Sequence, residues 1–191
     1  MLLEETQSEL LDACRRGDLA AQRNLFDLYK DRVYTLALRY SGDASTAEDV
    51  TQNVFIKLFA ALTTFRGDSR FDSWLYRLVV NACFDQKRKT RRLIPLVDTL
   101  VSYLKGPGRG PLEDLLQSEQ TSLVRNAIAR LDPDFRMIVV LRYSLGLPYE
   151  EIATILDCPS GTVASRLNRA HAILERRLRP QLGPSSAKDS Q

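Results

Sequence analysis

The sequence predicts an all-α protein of two small helical units joined by a flexible linker, on three observations. Apolar residues recur three and four apart through most of residues 1–92, and no convincing alternating segment competes with them. Residues 106–111, Gly-Pro-Gly-Arg-Gly-Pro, put three glycines and two prolines in six positions, which regular structure does not accommodate. Beyond that break, residues 147–179 have the pattern of a helix-turn-helix with a long, arginine-rich second helix.

Taken in order, Leu10, Leu11 and Cys14 form a short apolar face that ends near Gly17. Leu25, Leu28, Tyr29, Val33, Leu36, Ala37 and Tyr40 make the face of a second helix, which Ser41-Gly42 stops. Asp43 or Ser45 is suited to cap a third helix, whose stripe is Ala47, Val50, Val54, Leu58 and Ala61. A loop, Arg66-Gly67-Asp68-Ser69-Arg70, separates it from a fourth helix starting near Phe71 and carrying Trp74, Leu75, Leu78, Val79 and Cys83. That helix ends in Gln86-Lys87-Arg88-Lys89-Thr90-Arg91-Arg92. Helix resumes near Glu113 and runs to Leu131. Asp132-Pro133 then starts another, with Phe135, Ile138, Val139 and Leu141 inward, and Gly146 ends it. The tail, 183–191, is polar and is expected to be disordered.

The helix-turn-helix is read from its residues. Leu147-Pro148 opens a short helix, since proline fits a first turn where no N–H is needed. Ile152, Ile155 and Leu156 turn inward, and Asp157-Cys158-Pro159 interrupts the pattern, because proline disfavours the α region for the residue before it. Ser160 is the expected N-cap of the next helix. Val163, Leu167, Ala170, Leu174 and Leu178 form its apolar stripe. The remaining faces carry Arg166, Arg169, Arg176, Arg177 and Arg179 against one acid, Glu175, while the preceding helix carries Glu150 and Glu151. Solvated arginines on a bundle helix would also look like this. The segregation of charge favours contact with DNA phosphates and a helix that enters the major groove.

Composition narrows the function classes. A net charge of +3 over 191 residues is only mildly basic, so a nucleic-acid surface must come from local clustering. No apolar stretch is long enough to span a membrane, and the acidic, amphipathic N-terminus lacks signal-peptide features. Cys14, Cys83 and Cys158 are widely spaced, which fits neither a disulfide framework nor a zinc set. Each is expected as a small buried apolar residue in a reducing cytoplasm. His171 is the single histidine, and the carboxylate pairs Glu48-Asp49 and Glu113-Asp114 are sequence neighbours that do not converge on a helix. No cofactor, metal, catalytic residue or small-molecule substrate is expected.

Three segments occur in one order: AEDVTQNVFIKLFAAL, FRGDSRFDSWLYRLVVNACFDQKRK and LPYEEIATILDCPSGTVASRLNRAHAILERRL. Together they resemble the extracytoplasmic-function sigma factors, the two-domain class of bacterial RNA polymerase sigma factors, from Ser8 to about Leu182. The resemblance implies a σ2 domain over 1–92, a linker over 93–114 and a σ4 helix-turn-helix domain over 115–182. It implies that Glu48, Asp49, Gln52, Asn53 and Lys57 meet core RNA polymerase. The −10 element, captured as a single strand with a flipped base, falls to Phe65, Arg66, Asp68, Ser69, Arg70, Phe71 and Asn81. Lys87, Arg88, Lys89, Arg91 and Arg92 would hold the phosphates just upstream. For Trp74, Tyr76 and Leu78, spacing favours packing in the core. The duplex −35 element falls to Ser160, Thr162, Ala164, Ser165, Arg166, Asn168 and Arg169. Ala164 departs from the basic residue usual in the family, so a promoter sequence does not carry over. An anti-sigma partner is a further implication, and membrane insertion is not.

Two other readings remain open at the level of sequence. A stand-alone helix-turn-helix regulator explains the C-terminal half but leaves the first two segments without a task. A helical adaptor whose basic patches meet acidic proteins predicts no sequence-selective DNA binding.

Overall fold

A computed structural model of the chain describes residues 2–65, 67, 70–93 and 119–182, with side chains for 7–65, 67, 70–89 and 123–180. Within these residues the protein is all helical, without a strand. The first four helices are α1 (Leu2–Arg15), α2 (Leu19–Ser41), α3 (Ala44–Ala61) and α4 (Phe71–Leu93), with a 3-10 turn at Leu62–Thr64. The second group is α5 (Glu119–Ala129), α6 (Pro133–Ser144), α7 (Tyr149–Leu156) and α8 (Ser160–Leu182). Most of the expected 93–114 linker, the expected start of α5 and the tail 183–191 lie outside the described residues.

Local chemistry sets the helix ends. Asp18 caps α2, its Oδ1 accepting from the N–H groups of Ala20 at 2.8 Å and Ala21 at 3.1 Å. Gly42, at φ 74°, closes α2 by donating to the Leu38 carbonyl at 2.8 Å. Asp43 rather than Ser45 caps α3, accepting from Thr46 N–H at 2.8 Å. Asp157, at φ 50°, ends α7 in the left-handed region, which aspartate tolerates better than most residues. There the chain reverses and Cys158 N–H bonds the Ala153 carbonyl at 3.0 Å. α8 begins one residue earlier than expected. Thr162 and Val163 donate to the Pro159 carbonyl, so Ser160 is already helical.

The apolar stripes pack as their spacing predicts. Leu25, Val33 and Leu36 of α2 meet Val54 and Leu58 of α3 and Leu75 and Val79 of α4. Met137, Ile138 and Leu141 of α6 meet Ile152 of α7 and Val163, Leu167 and Ala170 of α8. Leu28 is the exception at 57% exposed. Tyr29, Val33, Leu36 and Tyr40 take the inward face of α2, and Leu28 lies more than a quarter-turn away from it.

The two groups are docked along a seam, which the sequence did not foretell. α6 lies on α2, and α7 lies on α4. Ser73 Oγ donates to Glu151 Oε1 at 3.1 Å, and Arg77 Nη2 donates to the Thr154 carbonyl at 2.6 Å. Arg136 Nη1 donates to the Tyr40 carbonyl at 3.1 Å, with its guanidinium 5.6 Å from the Tyr40 ring centre. Arg136 also bonds the carbonyls of Ala129 and Leu131 within its own group. Among the described residues, three buried polar atoms find no hydrogen-bond partner, Tyr40 Oη, Arg77 Nε and Arg136 Nε, and all three belong to residues of this seam.

Cys14 and Cys83 are buried as expected, and Cys158, in the turn between α7 and α8, is half-buried. Burial first and Asp18 second push the Cys14 thiol up, and burial pushes Cys83 up to about 12. Since the thiolate is the reactive form, Ellman's reagent is expected to consume one thiol quickly in the native protein. Cys158→Ser should remove that fast phase. A fast phase of two or three thiols would mean that the α1–α4 core opens readily.

Candidate nucleic-acid interface

The first component is the outward face of α8. Burial of Val163, Leu167 and Ala170 against α6 and α7 turns Ser165, Asn168, Arg169 and Arg176 outward, and all four are exposed. Ser160 is exposed as well, while Thr162, Ala164 and Arg166 are half-buried on the flanks. The arrangement offers hydrogen-bonding and cationic groups over the first turns of a helix presented by α7. His171 is exposed on the same helix, with Nε2 2.8 Å from the Tyr143 hydroxyl.

A second component lies where the chain enters α4. The rings of Phe65, Phe71 and Trp74 cluster, with centroids 4.9 Å apart for Phe65–Trp74 and 5.8 Å for the other two pairs. Phe65 and Trp74 are half-buried. Phe71, expected to touch the strand, is instead 4% exposed and supports the other two rings from beneath. Trp74 in turn is less enclosed than its helical spacing suggested. Arg70 is exposed, and Arg66, Asp68 and Ser69 lie outside the described residues. Trp74, Asn81 and Arg88 follow one another at seven-residue intervals, nearly two turns each, so they line one edge of α4. Tyr76 is buried and Leu78 half-buried, as packing residues.

Basic groups continue along α4. Arg88 and Lys89 are exposed and Lys87 is half-buried. Asp85 moderates this charge, with Lys57 Nζ at 3.6 Å and Arg88 Nη1 at 3.9 Å. The helix backbone runs on to Leu93, past Arg91 and Arg92, whose side chains lie outside those described. A cleft of about 300 Å³ between α3 and α4 is lined in part by Asn53, Lys57, Arg88 and Lys89.

The third component is the solvent face of α3, where Glu48, Asp49, Gln52, Asn53 and Lys57 are all exposed. Ile56 stands in the middle of this polar face at 61% exposed. Sequence reasoning misses it because apolar residues on an amphipathic helix are sought on the inward stripe. Its absence from the stripe Ala47, Val50, Val54, Leu58 is the available signal. Among the described residues no set of His, Cys, Asp or Glu is placed to hold a metal ion, and no helix is long and apolar enough to cross a membrane.

Comparisons with known proteins match each of the two helical groups. The family description Sigma-70 region 2 matches residues 25–93, and Sigma-70, region 4 matches residues 121–174. The ECF RNA polymerase sigma-E factor of Escherichia coli is 37% identical over 185 residues, covering 92% of this chain and 95% of that one. The chain belongs to the extracytoplasmic-function sigma factors. This sigma factor is also 35% identical over 190 residues to the RNA polymerase sigma-H factor of Pseudomonas aeruginosa, with 95% and 98% of the two chains covered. Its fold matches the sigma factor RpoE of Bartonella quintana, solved in complex with the anti-sigma factor NepR, at a TM-score of 0.67 and 26% identity. That match covers 82% of this chain and 95% of that one. CnrH, solved with the cytosolic domain of CnrY, shares the fold at a TM-score of 0.65 and 23% identity, over 88% and 94% of the chains. The sigma factor is accordingly a transcription-initiation protein of the RNA polymerase system.

Proposed function

We propose that this sigma factor joins core RNA polymerase through the solvent face of α3, reads a duplex −35 element with α8, and holds the −10 non-template strand at the entry to α4. Carrying this reading is the pairing of two exposed faces. Ser165, Asn168 and Arg169 stand outward on a helix-turn-helix, and the edge Trp74–Asn81–Arg88 adjoins an aromatic cluster. The first suits base edges and phosphates in a major groove, with Arg169 matched to guanine or phosphate and Asn168 to adenine. The second suits unstacked bases and a backbone. Phe65 and Trp74 are the rings with surface to offer, and Phe71 acts through them. Arg66, Asp68, Ser69, Arg91 and Arg92 keep their proposed roles on the strength of the family resemblance.

An anti-sigma partner fits the same reading, because the Bartonella quintana sigma factor was solved with one. The chain would act in the cytoplasm, where polymerase and promoter are. Nothing in the proposed mechanism calls for a cofactor or a catalytic step by the chain itself.

Run-off transcription from a promoter library with bacterial core polymerase tests the whole reading. Discrete transcripts that require the protein, sharing two upstream sequence blocks, are the expected result. Duplex binding without transcripts would favour a stand-alone regulator, and neither activity from folded protein would favour an adaptor.

For the polymerase face, Ile56→Glu is expected to weaken core affinity roughly tenfold or more. Burying an isoleucine contributes about 1.5–3 kcal/mol, and a charge in its place adds a desolvation penalty. Retained affinity in a pull-down or anisotropy titration would remove α3 from the contact.

A further inference from the structure

Both edges of the aromatic cluster are tied back to α1, a helix to which the proposed function gives no task. On the entry side Arg15, in the last turn of α1, places its guanidinium against the 3-10 turn that leads to Phe65. Nε donates to the Leu62 carbonyl at 3.2 Å, and Nη2 donates to the Phe65 carbonyl at 2.7 Å. Nη1 meets Asp12 Oδ1 at 2.6 Å, which fixes the orientation of the fork. The guanidinium carbon lies 6.0 Å from the Phe65 ring centre. The Leu62 carbonyl already accepts from the Phe65 N–H at 3.3 Å, and the planar cation adds a second donor there and serves the Phe65 carbonyl as well.

The exit side is held by a relay. Gln7 Nε2 of α1 donates to the Tyr29 hydroxyl at 2.7 Å, and that hydroxyl donates to Asp72 Oδ1 at 2.7 Å, in the first turn of α4. Arg32 Nη1 stands 3.7 Å from Asp72 Oδ2, and the Tyr29 ring meets Phe71 edge-on at 5.3 Å. The chain therefore leaves for the loop at Phe65, bonded directly to α1, and returns at Phe71–Asp72, linked to α1 through Tyr29 of α2. Phe71 and Trp74 are set beside each other by α4 itself, and the Arg15 anchor holds Phe65 against them.

We propose that α1 is a positioning element for single-strand capture, acting chiefly through Arg15. The inference rests on the −10 reading above and adds to it which residues set the geometry of the platform. Arg15 need not touch DNA. It fixes the Phe65 backbone and so the angle at which Phe65 and Trp74 meet an unstacked base. Lysine keeps the charge but cannot present a rigid fork to two carbonyls, so the two substitutions Arg15→Gln and Arg15→Lys should resemble each other and not the wild type.

The test uses the full chain with core polymerase and a promoter taken from the run-off experiment. Initiation is compared between that promoter and versions changed at single −10 bases, with the −35 element intact. Arg15→Gln and Arg15→Lys are expected to lower the discrimination between right and wrong bases about tenfold, equivalent to about 1.4 kcal/mol. Core affinity and −35 duplex affinity should stay within twofold. Trp74 is the sole tryptophan, and its emission in the free chain should shift to the red as the platform loosens. Tyr29→Phe, which keeps the packed ring and removes only the relay hydroxyl, should act in the same direction by roughly threefold. Unchanged discrimination in both Arg15→Gln and Tyr29→Phe would overturn the inference. So would a parallel loss of core binding and −35 binding, which would mark Arg15 as a general prop for the fold. A wild type that shows no −10 base preference would instead sink the −10 reading, and the role of α1 with it.

Discussion

Charge reversal at Arg166 and Arg169 together is expected to abolish promoter-directed initiation while leaving core affinity within twofold. Arg169 is exposed on the outward face of α8, and Arg166 is half-buried on its flank beside Thr162. Deleting one side chain that holds a base edge from such a helix costs about 1–3 kcal/mol. At about 1.4 kcal/mol each, the pair already accounts for roughly a hundredfold in duplex affinity. Glutamate adds repulsion from the phosphates, so the fall should be larger at low salt than at high salt. The salt dependence should also weaken by nearly one power of salt concentration for every phosphate that is no longer neutralised. Equilibrium binding to a −35 duplex, measured across salt concentrations, gives both numbers. Loss of core binding in the same variant would count against assigning the two tasks to separate helices, because α3 and α8 belong to different helical groups.

The second large effect concerns the seam. Arg77→Ala combined with Glu151→Ala removes the bonds that hold α7 on α4, leaving Arg136 to hold α6 on α2. Hydrogen bonds to charged groups contribute about 1.5–3 kcal/mol each, less where solvent reaches them. Roughly thirtyfold is therefore a conservative shift in the equilibrium between docked and undocked chains. The unpartnered Tyr40 Oη and Arg136 Nε weaken the docked state of parent and variant alike, while Arg77→Ala also deletes the orphaned Arg77 Nε, which offsets part of the loss. A compact chain of this length has a radius of gyration of about 16 Å. Small-angle scattering should show the variant larger by several ångströms, with faster hydrogen exchange in α7. A variant as compact as the parent would show that apolar contact alone holds the groups together. Alkali should also destabilise the fold itself around Tyr40. Burial pushes the Tyr40 phenol up to about 12 from an ordinary value near 10. Its folded-state pKa being the higher, its contribution is whole below pH 10 and is lost as pH rises through 12.

The helices were legible because each one repeats its message several times. Val163, Leu167 and Ala170 declare one face of α8, and Asp43 and Gly42 mark a boundary by chemistry that acts within a few residues. Side-chain positions on helix edges are harder to read. Helical spacing places Leu28 inward and the family resemblance places Phe71 on the strand, and the structure exposes the first and buries the second. Ile56 is the reverse case, an apolar residue at the centre of a polar face. The seam has no sequence signature, because Ser73, Arg77, Glu151 and Arg136 are single polar residues on faces that a solvated helix would also present. Arg15 is invisible for a related reason. Its partners are main-chain carbonyls some fifty positions away, and a carbonyl carries no mark in the sequence.

Two promoter elements named for positions −35 and −10 lie about 25 base pairs apart, or roughly 85 Å along straight B-form DNA. In the docked chain the helix-turn-helix touches α4 directly, through Arg77 and Thr154 at 2.6 Å. A docked chain with a radius of gyration of about 16 Å cannot hold its two proposed reading faces roughly 85 Å apart, so the proposed reading of a straight duplex requires that bond to open. The stretch 94–118, about 25 residues, spans at most ~80–90 Å when fully extended, which is reach enough for that separation. Under the proposed reading the docked chain is thus a pair of calipers held closed, and polymerase becomes the frame that sets the opening at which one DNA is measured at two points.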